Sequence, residues 1–324
     1  MHLRFLVPLV FIAAAPAQDS IILGLPVACA IGQTCFIQQY FDHDPGPSAK
    51  DYRCGSQSYD GHDGVDIRLP TLAAQRRGVN VLAAAPGTVK GLRDGVADVD
   101  VRIAGTASVK GHECGNGVVV AHEGGWETQY CHMAKGSVRV HAGDPVIMGT
   151  VLGLVGESGD AAFPHLHFSL RRNGQKLDPF AWNAAACGVG QSLWSPKAQA
   201  ALAYRVPQVI NAGFAPAPVT MDDVESGRAE ADKPASQGAA LIAFVRTIGL
   251  SAGDVQAIAV LSPNGLLLAS SRAAPLDHDK AQWMMFAGKK NAGAGFAPGT
   301  YKARYTVERA GHVVLERNFA QQVR

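Results

Sequence analysis

Between residues 79 and 179 the chain is cut into short runs rich in β-branched residues, and glycine-centred turns make most of the cuts. The runs VNVLAAAPGTVKGL, NGVVVAHE, WETQYCHM, GSVRVHAGDPV, TVLGLVGESG and HLHFSLRRNGQKLDP predict a mainly β unit. Within it, GVVVAHEGGWETQYCHM reads as a hairpin with Gly124-Gly125 near its tip. Pairing around that tip brings Cys131 near Gly117, with Cys114 just beyond. After about residue 200 a second set of runs alternates apolar and polar positions: ALIAFVRTIGL, VQAIAVLSPNG, LLLASS, WMMFAG, GTYKARYTVERAG and HVVLERNFAQQV. Turn signals stand at Pro263-Asn264-Gly265 and Ala310-Gly311, and strands at this spacing predict a small antiparallel sandwich.

A length of 324 residues suggests two domains, and composition separates them. Every cysteine, and every histidine except His2, His278 and His312, lies in the first part of the chain. The tail carries no cluster of ligand-type residues, so a structural or substrate-positioning role is expected of it. From Trp194 to Ala240 the sequence turns to Ala, Pro, Ser and acidic residues, which predicts stretches of exposed loop or linker. Inside that region Ser195-Pro196 followed by KAQAALAY reads as the N-cap and first-turn proline of a short helix. The expected division is a first domain at 18–192 with its core at about 55–182, a linker at 193–204, and a β-sandwich-like domain at 205–324.

The chain opens on a basic residue and a run from Leu3 to Ala14, apolar apart from Arg4, that closes on Ala15-Pro16-Ala17. That is the pattern of a signal peptide over residues 1–17, cleaved after Ala17. The run is shorter than the roughly 20 apolar residues that cross a bilayer, so no stable membrane anchor is expected after cleavage. An even number of cysteines in an exported chain argues for disulfides. Of the 15 connectivities open to six cysteines, spacing favours Cys29 with Cys35, Cys114 with Cys131, and Cys54 with Cys187. A formal charge of +2, with lysines and arginines scattered, gives no electrostatic case for nucleic acid. The expected location is periplasmic or secreted, with polymers or peptides as partners and the oligomeric state left open.

Two segments, GHDGVDI and FPHLHFSL, supply His62, Asp66, His165 and His167. Imidazole and carboxylate are the donors that a catalytic Zn²⁺ takes while keeping one position open for water. In a strand His165 and His167 point to one face, about 7 Å apart, which suits one histidine on a metal and the other beside its water. Taken alone, the pair also fits two structural histidines. Gly64 and the run VDIRL place His62 on a loop and Asp66 at the start of a strand; Asp66 alone also fits a cap or ion pair, and Asp63 is expected to point away. The same period puts Tyr130 and His132 of QYCHM on one face, where a further imidazole could hold a proton or stabilise an oxyanion. His122 reads as structural, His112 and His141 as loop residues, and His43 as part of a segment able to cover a groove.

In the order His62, Asp66, Tyr130, His132, His165, His167, with the glycines around them, the chain resembles the M23 metallopeptidases, the lysostaphin-like or LytM-type zinc endopeptidases of bacterial cell walls. HDGVD looks like the family's HxxxD motif and PHLHF like its HxH motif. GTVKGL, NGVVVAHEGG, YCHM and HAGDPVIMGTVLGLVGESG fall in the family's order, over about residues 60–180. The resemblance implies an antiparallel β-sheet groove of the duplicated hybrid motif type and Zn²⁺ held by His62, Asp66 and His167. It also implies His132 and His165 as catalytic histidines off the metal, and peptidoglycan, cut at amide bonds of its stems or crosslinks, as substrate; in the mechanism expected from these residues Tyr130 is a lesser contact. The insertion-like stretch RDGVADVDVRIAGTASVKGHEC at 93–114 departs from the family and would lengthen a loop near the site. The alternative is a non-catalytic module of the same fold that binds cell wall or activates another hydrolase; such proteins usually lose ligands, and here none is missing.

Overall fold

The computed structural model describes residues 20–324, and the expected signal peptide lies outside the described residues. The first part of the chain forms strands β1 (Phe36–Gln39), β2 (Val65–Arg68), β3 (Asn80–Leu82), β4 (Gly87–Arg93) and β5 (Asn116–Ala121). It continues with β6 (Trp126–Met133), β7 (Pro145–Val146), β8 (Val151–Leu154), β9 (His165–Arg172) and β10 (Gln175–Leu177). One antiparallel sheet runs β1-β2-β9-β6-β5-β4-β7, with β10 added beside β9, while β3 and β8 form a separate pair. GSVRVHAGDPV was expected to be a strand, but only its last two residues pair. Gly136 and Gly143, both at positive φ, turn the chain before β7.

Strand periodicity explains which face the core takes. Leu166, Phe168 and Leu170 of β9, Val65 and Ile67 of β2, and Trp126 and Tyr130 of β6 all enter one apolar cluster. Burying a residue of this size contributes about 1.5–3 kcal/mol, so the pattern fixes register firmly: a slip of one residue would turn the whole set outward. The opposite face of these strands is thereby assigned to His165, His167, Asp66 and Gln129.

Three disulfides join Cys29 to Cys35, Cys54 to Cys187, and Cys114 to Cys131. The third anchors the end of the 93–114 stretch, which contains a short helix at Val101–Ala104, against β6.

The tail forms β11 (Gln208–Ala215), β12 (Ala240–Leu250), β13 (Val255–Leu261), β14 (Leu267–Arg272), β15 (Lys280–Lys290), β16 (Gly299–Arg309) and β17 (His312–Val323). A sheet ordered β11-β12-β15 and another ordered β14-β13-β16-β17 share a core that includes Phe214, Val245, Ile258 and Tyr305. Ala310 and Gly311, both at positive φ, close the β16–β17 hairpin.

Residues 193–204, expected as a linker, are instead part of the first core. Leu193, Trp194, Ala198 and Leu202 are buried there. Ser195 caps the helix Pro196–Ala201, whose Ala198 and the following Leu202 lie four apart and so meet on one face. Tyr204 stacks on Tyr40 at 5.5 Å and donates to Asp51 Oδ2 at 2.8 Å. The composition of 194–240 also concealed β11 and the helices Met221–Ser226 and Arg228–Ala231.

The two β units meet through buried charge. Arg68 of β2 donates to Glu225 Oε1 at 2.9 Å and to Gln38 Oε1 at 2.8 Å. Arg246 of β12 pairs with Glu225 Oε2 and donates to Asn211 Oδ1 at 2.9 Å. Both arginines have no solvent exposure. Among the described residues no helix is long and apolar enough to cross a membrane.

Candidate metal centre

The two histidine-bearing segments are neighbours in the sheet. β2 and β9 pair antiparallel with Asp66 opposite His167 and Arg68 opposite His165, while β9 and β6 place Cys131 on the other side of His167. His62 arrives from the loop before β2. Gly64 is needed there because a Cβ would stand 2.6 Å from His167 Nε2 and 2.7 Å from the Phe168 carbonyl oxygen.

His62 Nε2, Asp66 Oδ1 and His167 Nδ1 converge. Asp66 Oδ1 lies 3.2 Å from His62 Nε2 and 2.8 Å from His167 Nδ1, and the two nitrogens are 3.3 Å apart. Zinc donors at their usual bond lengths on a tetrahedron stand about 3.3 Å from one another, so the triangle fits that ion. The remaining ring nitrogens have partners of the kind that orient metal-bound imidazoles. His62 Nδ1 donates to the Tyr40 carbonyl at 2.6 Å, and His167 Nε2 lies 2.9 Å from Ser169 Oγ and 3.2 Å from Asp63 Oδ1. Asp63, expected to point away, therefore touches the site. The Asp63 carboxylate also pairs, through its other oxygen, with Lys176 on β10.

His132 and His165 lie beside this triangle with ring centroids 4.5 Å apart. His132 Nδ1 donates to the Ser158 carbonyl at 2.8 Å, and His165 Nδ1 donates to that of Phe163 at 2.8 Å. A carbonyl only accepts, so both neutral rings carry the lone pair on Nε2. Burial, reinforced by His165 and His167, pushes His132 well below the usual imidazole range; burial also lowers His165 against the pull of Asp66. Burial opposes charge on Asp66, but His62, His165 and His167 hold its carboxyl well below the usual value. The result is an ionised carboxylate beside two neutral imidazoles able to accept a proton.

Tyr130 does not join them. Its ring is fully buried against Phe168, and its hydroxyl accepts from Ala84 N–H at 2.7 Å and from Thr128 at 3.0 Å. The i, i+2 argument fails because β6 carries an extra residue where Asn116–Val118 pairs with Met133–Tyr130. His132 sits at φ 61°, and its N–H bonds the Cys114 carbonyl at 2.8 Å. Alternation therefore breaks between the two residues. Tyr59, which the sequence did not single out, packs its half-exposed ring 4.5 Å from that of His62 at the groove's edge. His122 is held by the Pro86 carbonyl and Thr128, and His43 by Asp178, each in a structural contact.

A groove of about 310 Å³ opens on the site, bordered by His132, His167, Gln129, Arg171, Asp63 and Lys176. Residues 60–179 match the family model described as Peptidase family M23. The chain is 33% identical over 125 residues to the DD-carboxypeptidase/endopeptidase Mpg of Neisseria meningitidis, a match covering 36% of this chain and 22% of that protein. It is 31% identical over 110 residues to the cell division protein DipM of Caulobacter vibrioides, covering 34% of this chain and 14% of that protein. The similarity thus spans less than a quarter of either relative. Among solved structures, the catalytic domain of the prophage-encoded M23 protein EnpA from Enterococcus faecalis is 22% identical, with a TM-score of 0.34 over 51% of this chain and 98% of that one. The catalytic domain of lysostaphin from Staphylococcus simulans is 22% identical, with a TM-score of 0.28 over 44% of this chain and 86% of that one.

Proposed function

Residues 60–179 belong to peptidase family M23, and from that premise we propose that the chain is an exported zinc-dependent endopeptidase hydrolysing amide bonds in peptidoglycan stems or crosslinks. The observation that carries the reading is the donor triangle of His62 Nε2, Asp66 Oδ1 and His167 Nδ1, with its outer partners already in place. These three residues would hold Zn²⁺, which when bound supplies Lewis acidity and acidifies water near neutral pH.

The rest of the chemistry falls to the chain. His132 and His165 offer Nε2 to the proton released by the attacking water. Once protonated, either ring stabilises negative charge on the scissile carbonyl oxygen and can return the proton to the leaving amine. The anchoring of each Nδ1 on a backbone carbonyl leaves Nε2 as the proton-accepting nitrogen of each ring. Asp63 and Ser169 orient His167 from behind.

Metal analysis of the purified chain, paired with release of soluble peptides from purified peptidoglycan, tests this reading. One zinc per chain with peptide release supports it. Stoichiometric zinc without release of any peptide overturns it in favour of a non-catalytic cell-wall-binding module.

A further inference from the structure

On the groove face of β9 the sequence runs His165, His167, Ser169, Arg171, and the last of these has no obvious role in the chemistry above. Arg171 is half-buried and lines the same groove as His132 and His167. Its guanidinium donates to Gln129 Oε1, a neutral amide. Among the described residues no carboxylate pairs with it: Glu127, opposite it on β6, is taken by Lys90, and Asp63 by Lys176. A guanidinium has five N–H donors in a fixed fork, and most of this fork is free to meet a planar anion.

The direction in which it leans is informative. Gln129 stands opposite Ser169, one step of the strand alternation from His167, or about 7 Å. Gln129 is itself held by Cys114 Sγ at 3.3 Å, so the amide that receives the guanidinium is fixed to the disulfide at the groove floor. Arg171 thus reaches back along the groove toward the metal ligands. An extended peptide advances about 3.3–3.6 Å per residue, which places the guanidinium two to three residues from a bond cut at the triangle.

We propose that Arg171, seated on Gln129, is a carboxylate-binding subsite that selects peptides carrying a free carboxylate two to three residues from the scissile bond. This rests on the peptidase reading and names a chemical class for its substrate. Lys176, opposite Arg171 on β10, adds positive potential at the same end of the groove while engaged with Asp63. Asp160 and Glu113 also border the groove.

The test uses equilibrium binding to the metal-free full chain, which is independent of turnover. The probes are a fluorescently labelled stem tetrapeptide with its D-Glu and terminal D-Ala carboxylates free, and two analogues each carrying one of these as an amide. One amidated analogue should bind about 10- to 100-fold more weakly, the range of a charge-assisted hydrogen bond. Arg171→Gln should bring the acid and amide forms to equal affinity, and Arg171→Lys should restore part of the gap, because an ammonium keeps the charge and loses the fork. Equal affinity of all three peptides for the unaltered chain, or a gap that persists in Arg171→Gln, overturns the proposal. Peptidoglycan digestion is scored separately, so failure of the peptidase reading and failure of the subsite give different results.

Discussion

β9 and β12 are both antiparallel strands in the middle of a sheet, and they serve opposite ends. β9 gives alternate residues to the core and leaves His165, His167, Ser169 and Arg171 on the groove face. β12 is buried along its whole length. Leu241, Ala243 and Val245 enter the sandwich core, Phe244 packs with Val224 and Ala229 of the covering helices, and Ile248 meets Phe36 of the first unit. The difference lies in what covers the second face. A strand whose second face stays open can offer polar side chains to a ligand, whereas one covered on both sides must satisfy every polar group internally. Arg246 of β12 shows the second condition, with Glu225, Asn211 and the Pro70 carbonyl all engaged on one guanidinium.

The sharpest way to break this contrast is on the open face. His132→Asn keeps a residue that tolerates the left-handed backbone at this position. It should retain zinc while kcat for peptide release falls about 10²- to 10⁴-fold. Loss of zinc, measured by elemental analysis, would make His132 a ligand and undo the assignment of roles. On the covered side, Glu225→Leu strands Arg68 and Arg246 without a counter-charge. A destabilisation of about 3–5 kcal/mol is expected, read as a fall in Tm, and replacing all three charges by apolar residues should recover most of it.

A smaller effect separates Tyr130 from the site it was expected to join. Tyr130→Phe leaves the Ala84 N–H unpaired, so it should cost about 1–3 kcal/mol of stability by denaturant titration with kcat unchanged. A large loss of kcat at full folding would return Tyr130 to the chemistry. The smallest effect concerns Glu157, which burial, together with Asp100, Glu225 and Asp98, raises to about 7. The folded chain keeps a proton that the unfolded chain releases near pH 4.5, so this group's contribution is fully present below that pH and is lost as pH rises toward 7. Glu157→Gln should therefore raise Tm at pH 8 by about 2–4 °C, corresponding to about 1 kcal/mol, and leave it nearly unchanged at pH 4. Equal shifts at both pH values would detach the effect from titration.

Much of the site could be read from the sequence because strand periodicity is a local property. His165 and His167 share a face whatever they pack against, and HDGVD followed by an apolar alternation sets Asp66 at a strand's start. The same local rule misled at Tyr130, because the extra residue in β6 is imposed by pairing with β5 and by the Cys114 carbonyl. Asp63 was set aside because its partners, His167 and Lys176, are more than a hundred residues away. Residues 193–204 looked like a linker because small residues do not reveal which core will accept them.

The sequence by itself determined the β alternation, the donor types and the turns that separate them, since these follow from side-chain chemistry and backbone sterics within a few residues. Tertiary structure alone decided that His62, Asp66 and His167 turn one atom each toward a common point, that His132 faces the groove while Tyr130 faces the core, and that among the described residues no carboxylate pairs with Arg171. Those outcomes depend on which strands become neighbours and on which carbonyl holds each imidazole, and both are set by long-range packing.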